Sequence, residues 1–227
     1  MRKKKKLLAL LLCLALVFTC VFPAGAEEAG EQNEELSIQP RGINDYYLLG
    51  WNFFLSDSSA ERRKITNGYR RSDDFPDKFM HAAIDVAGAG ISSVYARPVH
   101  EGTILKAFYD ITGFGNYVVL ETNQLDPANT QYGTQRKIRV GYAHLQDLSY
   151  VYEGKAVGVG NNIGKVGNSG ESYGYHMHFM VFRVPTNAGK DAQSEISWVA
   201  DRSTSINPER FYANGYFTEK TNYNRIY

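Results

Sequence analysis

The sequence predicts a mainly β protein, an antiparallel sheet or β-sandwich-like single domain with short helices at most. Three observations carry this. Between Ile65 and Val184, short runs rich in Val, Ile and Tyr recur at close spacing. Glycines at 113, 115, 154, 158, 160, 164, 167 and 170 punctuate them, as tight turns between strands require. No long amphipathic helical period interrupts the pattern, and no internal repeat or second domain is visible.

Taken in order, the chain opens on a basic cluster, Met1 to Lys6, followed by an almost wholly apolar run from Leu7 to Phe22 and small residues at Ala24-Gly-Ala26. These are the basic, apolar and cleavable parts of a secretory signal peptide, with cleavage expected after Ala26. An uncleaved membrane anchor is the alternative, although the run is short for a span and Pro23 ends it. Both cysteines, Cys13 and Cys20, lie in this segment. The mature chain therefore has no disulfide and must rely on its core or on a metal. Removing the segment leaves 20 basic against 24 acidic residues, a formal charge of −4. Nothing in that balance suggests a nucleic-acid partner.

Residues 27–45 form an acidic, polar leader with Glu at 27, 28, 31, 34 and 35, expected to be poorly ordered. The domain is expected over residues 46–215, with 216–227 as a C-terminal tail. It begins with an apolar, aromatic run, Tyr46 to Leu55, which reads equally as a short helix or a strand. Predicted strands follow at Ile84–Val86, Gly102–Phe108, Asn116–Glu121, Ile138–His144 and His176–Val184. Leu125 to Lys137 is polar, holds Pro127 and Gly133, and reads as a hairpin loop. Ala188 to Ser205 is a second polar excursion, with room for one short helix around Glu195–Ala200.

The chemistry-bearing residues cluster around the five histidines. His176 and His178 follow a glycine- and serine-rich turn and precede an apolar run. On a strand, side chains two residues apart lie on one face, about 6.5–7 Å apart along the backbone, so both imidazoles would look at one point. That arrangement suits a metal, or a metal plus a general base. His81 and Asp85 are four apart, and Ile84-Asp85-Val86 followed by Ala-Gly-Ala-Gly favours a histidine in a loop beside a carboxylate on a strand. His144 ends an alternating strand. Each taken alone also fits an ordinary surface ion pair or half-buried histidine. His100, just before a turn with Glu101 beside it, reads as structural or exposed.

Together, His-x-x-x-Asp at 81–85, Tyr-x-His-Leu at 142–145 and His-x-His-Phe at 176–179 resemble the zinc metallopeptidases of the lysostaphin and LytM type, which cut peptide bonds of bacterial peptidoglycan. Ile65 to Arg70 is similar to that family's opening strand, and Gly113-Phe-Gly-Asn-Tyr-Val-Val-Leu120 to its Gly-Asn-x-Val strand. Gly158 to Gly170 is similar to its glycine-rich approach to His-x-His, and Asn207-Pro208 to its closing pair. The resemblance covers about Ile65 to Phe211.

Carried over residue by residue, the resemblance implies that His81, Asp85 and His178 ligate one Zn2+ per chain and that His144 and His176 are the catalytic pair. Three protein ligands leave the open position that a catalytic zinc needs for water. The resemblance further implies an exported zinc-dependent metalloendopeptidase hydrolysing peptidoglycan stem or cross-bridge peptides. It would be secreted, extracellular or wall-associated, touching the membrane only if the signal segment is retained. Tyr142 is a candidate to add a hydroxyl to the site. The chain departs from the pattern at Ala83, Tyr175 and Met180, where the family favours Gly, Pro and Glu. None is a ligand, so these changes bear on the groove rather than the metal. The alternative is a non-catalytic wall-binding or hydrolase-regulating module of the same fold. Such relatives lose ligands, whereas this chain keeps all five site residues.

Overall fold

The computed structural model describes residues 49–69, 81–111, 113–127, 136–189 and 204–220. The predicted signal segment, the acidic leader and the helix proposed at Glu195–Ala200 lie outside the described residues. Among those described, eleven strands and three short 3-10 turns occur, and there is no α-helix. The prediction of a mainly antiparallel β fold holds.

The strands are β1 (Lys64–Asn67), β2 (Ala83–Ala87), β3 (Tyr95–Ala96), β4 (Gly102–Asp110), β5 (Gly115–Leu125), β6 (Arg136–Leu145), β7 (Ala156–Val157), β8 (Gly164–Lys165), β9 (His176–Pro185), β10 (Ser205–Ile206) and β11 (Thr218–Lys220). Nine of them form one sheet in the order β11-β1-β2-β9-β6-β5-β4-β7, with β10 paired to β9. Every pairing is antiparallel except that of β1 with β11. β3 and β8 form a separate two-stranded sheet.

Strand alternation divides the labour. On β9, Met177, Phe179 and Val181 enter the main core, as do Ile84 and Val86 of β2, Val118 and Leu120 of β5, and Ile138, Val140 and Tyr142 of β6. Val94, Ala96, Ile163 and Val166, from in and around the small sheet, belong to the same core, so the two sheets share one apolar interior. The intervening residues face the other way. There Ala83, Tyr117, Val119, Ala143, Met180 and Phe182 make a second, smaller apolar cluster, and His178 and Asp85 occupy the same alternation.

Within the aromatic run before β1, Trp51 to Phe54 form neither helix nor strand. Trp51 to Leu55 is irregular, with a single bridge from Leu55 to Ala96. Consecutive Phe53 and Phe54 are both buried, which fits neither a two-residue nor a helical period. Both meet Tyr212 and Phe217, and each has a further partner of its own. Phe54 stacks on Phe179 of β9 at 4.1 Å between ring centroids, and Phe53 meets Tyr216. Trp51 stacks on Phe211 at 3.9 Å. The run is thus a strap that ties the sheet to the segment carrying Tyr216 and Phe217, just before β11.

Candidate active site

All five residues singled out in the sequence come together at one end of the large sheet. Asp85 sits within β2 and His178 within β9, and the register places them directly opposite each other. His178 Nδ1 lies 2.8 Å from Asp85 Oδ1. His81 stands just before β2 and brings its Nε2 to 3.2 Å from Asp85 Oδ2. His176 Nε2 reaches to 3.9 Å from Asp85 Oδ1, on the same face as His178, as the two-residue spacing requires. His144 completes the group, its ring 4.6 Å from that of His176 and 5.6 Å from that of His178. Ligand atoms of His81, Asp85 and His178 all lie within 4.8 Å of one another, and so do those of His144, His176 and His178.

Hydrogen bonds to the far sides of the rings set which nitrogens face inward. A carbonyl oxygen only accepts, so an imidazole nitrogen bonded to one must carry the proton. His81 Nδ1 donates to Gly68 O at 2.8 Å, His144 Nδ1 to Ser169 O at 2.8 Å, and His176 Nδ1 to Gly174 O at 2.9 Å. In the neutral rings this leaves each Nε2 with a lone pair. This is the outer-shell arrangement that orients metal-binding histidines.

Charge is arranged to match. Burial opposes ionisation of Asp85, but the imidazoles of His81 and His178 outweigh it and hold the carboxyl well below the usual carboxylate range. Burial pushes His178 down, against the pull of Asp85. Burial, then repulsion from His178 and His176, pushes His144 down to about 4. A carboxylate beside neutral imidazoles is the state in which these groups bind a metal. Two imidazoles and one carboxylate form a donor set that fits zinc.

Sequence reasoning missed the supports. Asn67 Nδ2 donates to Asp85 Oδ2 at 3.0 Å and Thr66 Oγ1 to Asp85 O at 3.1 Å, so the opening strand β1 holds the carboxylate. Phe114 packs against His178 at 5.0 Å and His144 at 6.1 Å. It sits in the turn between β4 and β5, where Asp110 Oδ2 accepts from its backbone N–H at 2.9 Å. The only sequence signal for these was their place inside the Ile-Thr-Asn-Gly and Gly-Phe-Gly-Asn segments.

Tyr142 is a correction. Its ring lies in the main core beside Phe179, and its hydroxyl accepts from Val99 N at 3.3 Å. It is one residue from Ala143, which pairs with His178, and strand alternation sends it to the opposite face. His100 stays apart from the site, its Nδ1 3.1 Å from Glu101 O.

The chain resembles several solved structures. A zinc-containing peptidase from Vibrio cholerae aligns at 21% identity over 67% of this chain and 37% of that one, with a TM-score of 0.44. The catalytic domain of the antimicrobial peptidase lysostaphin from Staphylococcus simulans aligns at 21% identity over 73% of this chain and 94% of that one, with a TM-score of 0.43. The catalytic domain of the prophage-encoded M23 protein EnpA from Enterococcus faecalis aligns at 18% identity over 64% and 88%, with a TM-score of 0.44. This chain thus spans well under half the length of the Vibrio protein. The sequence model of Peptidase family M23 matches residues 79–192, half of the chain and the stretch that carries all five site residues, and the chain belongs to this family of metallopeptidases.

Proposed function

We propose that this protein is an exported zinc-dependent endopeptidase that hydrolyses peptide cross-links of bacterial peptidoglycan. The observation that carries the reading is the convergence of three imidazoles on one buried carboxylate, with the His144 ring beside them, in a chain of a zinc-dependent peptidase family. His81, Asp85 and His178 would hold one Zn2+. When bound, the metal supplies Lewis acidity, lowering the pKa of water toward about 7 and polarising the scissile carbonyl.

The remaining work falls to His144 and His176. Each has its Nδ1–H committed to a carbonyl, so its Nε2 is free of a proton while the ring is neutral. His144 is held neutral across the physiological range by its burial and its neighbours. Either Nε2 can take the proton of the attacking water and return it to the leaving amine. In the charged form, either can stabilise the oxyanion that develops on the carbonyl. Asn67 keeps Asp85 oriented, and Phe114 packs against His144 and His178.

The substrate class rests on the family and on an export signal in the sequence. The lysostaphin that this fold resembles is described as an antimicrobial peptidase, and wall peptides are what an exported enzyme of this kind meets. The test is to incubate the purified protein with cell walls carrying glycine bridges and with walls carrying direct cross-links, with and without a chelator. New termini are then identified by mass spectrometry. Chelator-sensitive cleavage of a cross-link is expected, and zinc-loaded protein that cuts neither wall would overturn the proposal.

A further inference from the structure

His144 is the one non-glycine residue with a positive φ among the described residues, at 58°. It sits where β5 and β6 slip register. Asn116 pairs with Leu145 and Val118 with Tyr142, so Tyr117 alone on β5 faces both Ala143 and His144 on β6. This is a β-bulge, which re-aims a side chain at the cost of regular pairing. Without it, alternation would continue from Tyr142 and Ala143 and set the imidazole differently.

The bulge does not hold itself. The Asn116 side-chain amide spends both its hydrogens on the residues just after His144. Nδ2 donates to Leu145 O and to Gln146 O, each at 3.0 Å. The Ser169 hydroxyl donates to Leu145 O at 2.7 Å and accepts from Asn116 N at 2.9 Å. Ser169 O then accepts from the His144 ring itself, and Phe114 O accepts from His144 N at 2.9 Å. Gly167 closes the arrangement, because a Cβ there would lie 2.5 Å from His144 O. Two residues from distant segments thus grip one turn from both sides.

We infer that Asn116 and Ser169 are positioning residues for the reaction: they hold the bulge at Ala143–His144 and so aim His144 Nε2 at the reacting atoms. Neither touches the residues assigned to the metal by any hydrogen bond described above. Their effect therefore reaches the chemistry through His144. The inference rests on the assignment of His144 as a proton carrier.

The test is a pair of variants, Asn116→Leu, which keeps bulk and removes both donors, and Ser169→Ala, which removes the shared hydroxyl. Each is made in the wild-type chain and in a His144→Ala background. Each single variant is expected to lower kcat by about 10- to 100-fold with KM and zinc content unchanged, since small misplacement of a catalytic group costs on that order. In the His144→Ala background neither should slow the enzyme further, because the residue they act through is gone. Nitrogen-15 NMR of the histidines gives a readout that needs no activity. His144 should report a single Nδ1–H tautomer in the wild type and a mixture in either variant. Wild-type kcat in both variants would overturn the inference, and so would an equal loss in both backgrounds or an unchanged His144 tautomer. If the wild type cut no wall, the function proposed above would fail while the NMR result still decided this one.

Discussion

Two strand carboxylates, Asp85 buried and Glu121 half-buried, stand on the same alternation of the same sheet, and they do different things. Asp85, at one end, meets the imidazoles of His81 and His178 at 3.2 and 2.8 Å. Glu121, on β5 toward the other end, meets the Lys137 ammonium at 2.7 Å and the Arg139 guanidinium at 2.9 Å. The geometries are alike, with a strand carboxylate between two nitrogen-bearing side chains. The partners decide the outcome. Lysine and arginine have no lone pair to offer in their charged forms, so the Glu121 group is a closed ion cluster. It fastens β5 to β6, and Arg139 reaches on to Ala188 O at 3.3 Å. Imidazoles near neutrality keep a lone pair, so the Asp85 group stays open to a metal. One end is a fastening and the other is an instrument, and the difference lies in the acid–base chemistry of the partners rather than in the backbone.

The largest effect expected from breaking the Asp85 end is at the metal. His81→Ala should lose both zinc and cleavage, with the fold retained, as metal analysis and circular dichroism of the purified variant would record. Zinc bound at wild-type stoichiometry would contradict the ligand assignment. Next in size is His144→Ala, which removes the proposed proton carrier and none of the proposed ligands. It should keep its zinc and lose about 10²–10⁴-fold in rate. A variant as active as the wild type would remove His144 from the mechanism.

At the Glu121 end the expected losses are of stability alone. Arg139 is almost fully buried and its partner Glu121 half-buried, and removing the enclosed partner of such a pair is costly. Arg139→Ala should destabilise the protein by about 3 kcal/mol in a denaturant titration, with zinc content unchanged. Loss of zinc in that variant would show that the two ends are coupled. The smallest effect is acid sensitivity. Burial alone would raise the Glu121 carboxyl, but the hydrogen bonds from Lys137 and Arg139 reverse this and set it below the ordinary glutamate value. A carboxyl lowered by folding contributes stability above its unfolded pKa and loses that contribution as the pH falls through its folded pKa. The stability gap between wild type and Glu121→Gln should therefore be widest near neutrality and shrink as the pH is taken below about 4, the unfolded range. A gap that widened on acidification would mean that the pair does not stabilise the fold.

The same contrast explains what could be read beforehand. The five predicted strands all appear at their predicted places, because strand period and glycine turns are local properties of the chain. The aromatic strap was ambiguous for a physical reason. Phe53 and Phe54 are both buried by Tyr212 and Phe217, and Phe54 also by Phe179 of β9, and no local period encodes burial of consecutive residues by distant segments. Tyr142 was offered to the site by its closeness to His144 in sequence, and alternation carried it into the core instead. Asn116 and Ser169 gave no chemical signal, since an amide and a hydroxyl that bond to backbone carbonyls look like any turn residues.

Residue order alone carried the β class, the succession of strands along the chain and the identity of the five side chains that meet at the site. His-x-x-x-Asp and His-x-His state their chemistry in residue type and spacing, and both are local. How these groups face one another came from strand pairing. The pairing of β2 with β9 brings Asp85 to His178 across 93 positions of chain, and the bulge against β5 turns His144 toward them. Carbonyls of Gly68, Ser169 and Gly174 select the inward nitrogen of each supporting ring. Those choices depend on backbone groups, which every residue carries alike, so residue identities cannot announce them and only the folded sheet brings them to the site.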